Sequence, residues 1–231
     1  MRKAGAVFKK QWKETLKNKE VLIQFILFPA MAVIMTSTVN IDGMPANFFV
    51  VMFAAMYIGM APLTSIASII AEEKEKNTLR ILQLSDVAAA EYLIGISGYI
   101  LIMCLGGSVI FAVVGKYTGI YFWKFLAVMA AGILVSMLIG AVIAVFSKSQ
   151  MNAAAVVVPV MMVFSFLPMI SFFNDSISKF SKYVYSQQIS NILNNIEANQ
   201  LKAESLGILA VNFLLAAILF GLAYKRSGLE C

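Results

Sequence analysis

The sequence predicts an all-α membrane protein with six transmembrane helices. An N-terminal amphipathic interfacial helix precedes them, and short helical segments lie between them. Three observations predict this fold. Of 231 residues, 61% are apolar and only 13% charged, where soluble domains average roughly 45–50% and about 25%. The mean hydropathy of +0.85 leaves no polar stretch large enough for a water-soluble domain of about 100 residues. The apolar residues also gather in six runs, at 21–39, 47–71, 92–115, 122–146, 153–173 and 206–224. At about 1.5 Å per residue each run can cross a hydrocarbon core of about 30 Å.

The first element is the arm at 1–20. Projected at about 100° per residue, Ala4, Val7, Phe8, Trp12, Thr15 and Leu16 share one side, and Arg2, Lys3, Lys9, Lys10, Lys13 and Lys17 the other. That pattern predicts an interfacial helix anchored on the anionic inner leaflet, and is compatible with one that cradles the start of the first span and packs against a cytoplasmic partner. The first run is not read as a cleaved signal, because this hydrophilic arm precedes it and its one Ala-x-Ala, at Ala30 and Ala32, sits mid-run. The second run carries a row of Met52, Met56 and Met60, then Pro62. Flexible thioethers suit a wall that accepts varied apolar cargo, although a Met row also suits core or lipid.

Between the second and third runs lies the charged segment 72–91, which includes Glu72, Glu73, Lys74, Glu75, Lys76, Asn77, Thr78, Leu79 and Arg80. In the fourth run Gly132, Ser136, Gly140 and Ala144 recur every four residues, a stripe on which another backbone can approach closely. Pro159 and Pro168 make the fifth run the one expected to kink or break. In the outer segment 174–205, Tyr185, Ile189, Ile192, Leu193 and Ile196 form a narrow apolar row, with Gln187, Gln188, Asn191, Asn194 and Asn195 around the rest. The spacing predicts a helix over 185–197 lying on or dipping into the outer leaflet, its row covered by lipid or a facing subunit.

Lys and Arg set the orientation. Thirteen fall on the arm, the 72–91 segment, the 147–152 loop and the tail, and five on the other side, at Lys116, Lys124, Lys179, Lys182 and Lys202. Both termini are therefore expected in the cytoplasm. The net charge of +6 reads as topology and not as a nucleic-acid surface. With no repeat and no linker, residues 1–231 are expected to form a single transmembrane domain.

The inventory excludes most chemistry. Histidine is absent and the two cysteines, Cys104 and Cys231, are far apart, which removes zinc sites, His-based relays and His-activated nucleophiles. No G-x-x-x-x-G-K-[ST] loop is present, so any ATP-driven work needs a motor in another chain. The apolar runs hold no Asp or Glu, and their one Lys, Lys124, lies at an end. Ion-coupled carriers place ionisable groups near the midplane.

The run from Glu72 through the Thr78-Leu79 step resembles the segment joining the second and third spans in permease subunits of ABC transporters of the type-2 exporter family. Asn77 stands where that family usually has Gly, and Asp86 where it usually has Pro; Asn tolerates a left-handed backbone better than other non-Gly residues, and Asp can N-cap the next helix. The resemblance implies that 72–91 is a cytoplasmic coupling helix docking on an ABC ATPase subunit, through Glu72, Glu73, Lys74, Glu75, Thr78, Leu79 and Arg80. It implies a permease that is not itself an enzyme and holds no cofactor, with ATP and Mg bound by the partner ATPase. It also implies pairing with a second permease chain, as a homodimer, in a bacterial cell membrane. Met52, Met56, Met60, Phe164 and Phe166 are then expected to line the pathway, and Tyr185, Ile189, Ile192, Leu193 and Ile196 to form the outer gate. Short permeases of this kind resemble exporters of antimicrobial and cytolytic peptides, including those of the phenol-soluble modulin kind, so an amphipathic peptide is the expected substrate. Lipid or hydrophobic drugs would fit the same wall, and a non-transporting scaffold or immunity protein would satisfy the same inventory.

Overall fold

A computed structural model describes residues 2–17, 19–39, 43, 45, 47–78, 88–197 and 203–227. Among the described residues the chain is all-α. Helices α1 (Arg2–Lys17), α2 (Lys19–Thr38) and α3 (Phe48–Glu75) are followed by α4 (Ala89–Val114), α5 (Ile120–Phe146) and α6 (Gln150–Phe173). Two short helices, α7 (Asp175–Ser181) and α8 (Tyr185–Asn194), precede α9 (Ala203–Ser227). Five helices, α3, α4, α5, α6 and α9, are long and apolar enough to cross a membrane, and α2 contributes a shorter apolar stretch, Leu22–Thr38. The boundaries follow the six apolar runs closely, because a run that must satisfy its own backbone in lipid has no alternative to helix.

Helix α3 is the axis of the bundle and packs against α2, α4, α5, α6 and α8. Its small residues make this possible. A Cβ on Gly59 would sit 2.7 Å from the Phe164 carbonyl carbon and the Ser165 nitrogen of α6, so these two backbones meet where no other residue fits. The α5 stripe packs on α3 as well: Gly132 lies against Ile58, Gly140 against the Leu63 carbonyl, and Ala144 is buried. Helices α6 and α9 are peripheral and turn Val156, Val163, Phe173, Val211, Leu215 and Leu219 outward. An apolar exterior of this extent matches a lipid or subunit surface rather than water.

Three expectations are corrected here. Part of the apolar face of α1 is covered by α4 instead of lipid: Val7 is buried, and a Cβ on Gly95 would lie 2.8 Å from the Ala4 carbonyl oxygen and from the Val7 Cβ, while Trp12 stays 38% exposed. Phe8 and Trp12 close the contact on Tyr99, with ring centroids 6.1 and 6.3 Å from it. Of the kink or break expected at Pro159 and Pro168, the break does not occur: helix α6 runs continuously through both, since neighbouring helices can hold a span that lacks single backbone bonds. The apolar row of α8 is buried within the chain, among α3, α5, α6 and α9, and needs neither lipid nor a second subunit to cover it.

Candidate functional site

Two clusters of polar contacts stand out, one at each end of α3. At its charged end, consecutive side chains of α3 reach three other helices. Glu73 is 6% exposed, and its Oε1 accepts hydrogen bonds from Gln11 Nε2 at 2.7 Å and Lys10 Nζ at 2.9 Å, both from α1. The Tyr92 hydroxyl of α4 faces the same carboxylate. Lys74 Nζ donates to the carbonyl oxygens of Ala144, Val145 and Ser147 at 3.1, 2.7 and 2.7 Å. These belong to the last turn and C-cap of α5, where carbonyls lack intrahelical donors and the helix dipole favours a cation. Glu75 Oε2 accepts from the Gln150 backbone N–H at 2.8 Å, placing a carboxylate at the N-terminus of α6 by the same logic reversed.

The link of residues 147–149 explains why adjacent residues can perform opposite tasks. It sets the end of α5 beside the start of α6, where Ser149 caps Asn152, so acceptors and donors lie side by side under the last turn of α3. Glu72 pairs with Lys76 one turn on, and its carboxylate holds the exposed Lys76 ammonium above the usual lysine range. Asn77 takes φ 55°, the left-handed conformation its side chain tolerates, and ends the helix. Thr78 is half-buried. Leu79, Arg80 and the remainder through Asp86 lie outside the described residues. Of the residues expected to meet an ATPase, Glu73 is thus turned inward on α1, and Lys74 and Glu75 bind neighbouring helices. Replacing Lys74 by Met is expected to lower stability by about 2 kcal/mol through loss of charge-assisted bonds to three carbonyls. A thermal melt of the purified protein checks this, with Lys74→Arg retaining most of the stability.

At the opposite end, α8 inserts into the bundle. Tyr185 is fully buried, its ring 5.0 Å from Phe164 of α6 and its hydroxyl 2.7 Å from Ser136 Oγ of α5. Ile189 lies against Gly132, and Ile192, Leu193 and Ile196 are buried with it. The polar side is also bonded: Gln187 accepts from Ser171 and donates to Asn191, while Gln188 donates to the Lys182 carbonyl.

The expected pathway residues do not share one surface. Met56 is buried in the core and Met60 half-buried, whereas Met52 opens on a small cleft with Phe48, Pro168, Phe172, Ser190 and Asn194, between α3, α6 and α8. Phe164 meets Tyr185, one of the residues expected at the outer gate, while Phe166, two positions on, faces out of the bundle. Sequence reasoning missed Lys10, Gln11 and Gln150 as partners of the charged run. The available signal was three ionisable residues in the last turn of an apolar helix, since such residues are rarely buried without partners.

The family model described as ABC-2 type transporter matches residues 2–191 of the chain. No curated protein matches it. The matched stretch takes in α1, both polar clusters and most of α8.

Proposed function

This chain belongs to the ABC-2 type transporter family, and from that premise we propose that it is one half of the membrane path of an exporter. Family membership makes it the transmembrane permease component of an ABC transporter, a multi-pass membrane protein that works with an ABC ATPase component. In the proposed arrangement α2 is the sixth span, both termini lie in the cytoplasm of a bacterial cell, and two copies of the chain pair in its plasma membrane. The ATPase binds ATP and Mg and docks on the segment through Leu79 and Arg80.

The observation that carries this reading is the construction of the charged end. In sequence, segment 79–87 follows shortly after the end of α3, whose last turn is bonded to α1, α5 and α6. A displacement delivered there would move four helices together, which suits a coupling point and serves no purpose in a passive scaffold. The substrate proposed is an amphipathic peptide. Its support is a set of spans with no acidic residue inside the apolar runs and the Met- and Phe-lined cleft beside α8, since a hydrated sugar would want more polar groups along its route.

The test is the chain reconstituted with its co-purifying ATPase. Hydrolysis is expected to rise with an amphipathic helical peptide and not with a scrambled control, and Leu79→Asp is expected to release the ATPase or abolish that stimulation. Stimulation by a lipid-linked sugar alone would end the peptide reading, and an unaltered response in Leu79→Asp would remove the docking assignment.

A further inference from the structure

Pro62 has no N–H, so the carbonyl four residues earlier in α3, that of Ile58, loses its helical donor. In a membrane that carbonyl needs a partner, because an unsatisfied backbone group in hydrocarbon costs several kcal/mol. The partner comes from another helix: Ser136 Oγ of α5 donates to the Ile58 oxygen at 2.7 Å. The Ser136 Oγ itself is 2.7 Å from the Tyr185 hydroxyl of α8. Since the Ser136 proton is committed to Ile58, Tyr185 must be the donor in the second bond. The result is a directed chain, from Tyr185 to Ser136 to Ile58, that begins on α8 and ends on the one α3 carbonyl released by proline.

The surroundings of this chain favour movement in α3 at that point. Ser65 Oγ donates back to the Ala61 carbonyl at 2.6 Å, a back-bond of the kind that tends to bend helices, and the single proton of Thr64 Oγ1 is shared between the Met60 carbonyl and Gln24 Oε1 of α2, each 2.8 Å away. Gly59 lies one turn before Pro62, where α6 makes its closest approach. A serine merely filling a small-residue stripe would need no hydroxyl, yet Ser136 is fully buried and uses its hydroxyl twice.

We infer that Ser136 is a positioning residue that ties α8 to the proline step of α3, so that α8 follows α3 when the charged end of α3 is displaced. The inference rests on the exporter reading above. It makes α8 the responding element and the Ile58 carbonyl its attachment point, in addition to the apolar row.

The test uses the assembled complex in liposomes, in a background with Cys104→Ala and Cys231→Ser. A single cysteine at Ile192 is labelled from outside with a membrane-impermeant maleimide, with and without ATP and orthovanadate. If the complex without relay substitutions labels equally in both conditions, the exporter reading of α8 fails. If labelling changes there, Ser136→Ala and Tyr185→Phe are each expected to abolish the nucleotide-dependent change while ATP hydrolysis persists. Retention of the full change in both variants would overturn the relay.

A second arm needs no ATPase. Pro62→Ala restores a donor for Ile58, so the melting-point loss caused by Ser136→Ala is expected to shrink in the Pro62→Ala background. Equal losses in the two backgrounds would show that the Ile58 carbonyl does not depend on Ser136, and the inference would fall.

Discussion

Alanine at Gly140 or Gly59 is expected to destabilise the bundle by on the order of 3 kcal/mol, a large effect for adding one methyl group. At Gly140 the new Cβ would overlap the Leu63 carbonyl oxygen, and at Gly59 it would lie 2.7 Å from backbone atoms of Phe164 and Ser165. Backbone inside a helix cannot step aside as the end of a side chain can, so the helices must separate. Separation is costly because α3 packs against five other helices, and moving α5 or α6 off it opens voids along the whole contact. Gly106 and Gly221 are the controls, since nothing lies within 4 Å of a Cβ built at either position. Alanine there is expected to be neutral, or stabilising by up to about 1 kcal/mol through helix propensity. Thermal melts of the four purified variants decide the matter, and similar midpoints for Gly140→Ala and Gly106→Ala would contradict this packing.

The glycine stripe was legible in the sequence because spacing by four in an apolar run has one geometric meaning, and Gly132, Ser136, Gly140 and Ala144 do line the α3 contact. The positions of the long apolar helices were legible for a similar reason: run length against bilayer thickness leaves little freedom, and five of the six runs became helices long enough to cross. The left-handed turn at Asn77 could also be read, from residue type and position. What could not be read was the identity of each covering surface. Periodicity states that the Val7 and Phe8 face of α1 and the Ile189 and Ile192 row of α8 are covered, but lipid, a second subunit and the same chain leave an identical pattern. Gly95 was the available hint that α1 lies on α4, and Gly132 the hint that α8 lies on α5. The charged run was harder still, because its partners are helix termini and α1 residues far away in the chain. The Met row misled for a different reason: Met52, Met56 and Met60 span two turns of a helix buried on most sides, so one residue faces the cleft and another the core.

Replacing Lys10 by Met is expected to release α1 from the bundle. The substitution leaves the Glu73 carboxylate, 6% exposed, with Gln11 alone to satisfy the oxygen they share. Removing one partner of a buried pair costs about 3–5 kcal/mol where both charges are desolvated. Lys10 is a third exposed, so solvent screening brings the expected loss to about 2 kcal/mol. Glu73→Ala acts differently, since Lys10 can then turn to water, but Gln11, only 4% exposed, keeps a buried amide without its acceptor. That leaves a cost of about 1–3 kcal/mol. Both changes weaken the same junction, so their costs should not add: the double variant Lys10→Met with Glu73→Ala should be no worse than Glu73→Ala alone. The triple variant Lys10→Met, Gln11→Met and Glu73→Met removes the polar groups that α1 and α3 bring to the junction, leaving only the Tyr92 hydroxyl of α4, and is expected to regain much of the stability, as buried ion pairs replaced by apolar residues often do. Trypsin cleavage at Lys9 and Lys13, which both project from α1, reads the release directly. Cleavage should accelerate in Lys10→Met and return toward the native rate in the triple variant. Native-like protection in Lys10→Met would mean that the Val7 and Gly95 contact holds α1 unaided and that the buried carboxylate serves another role.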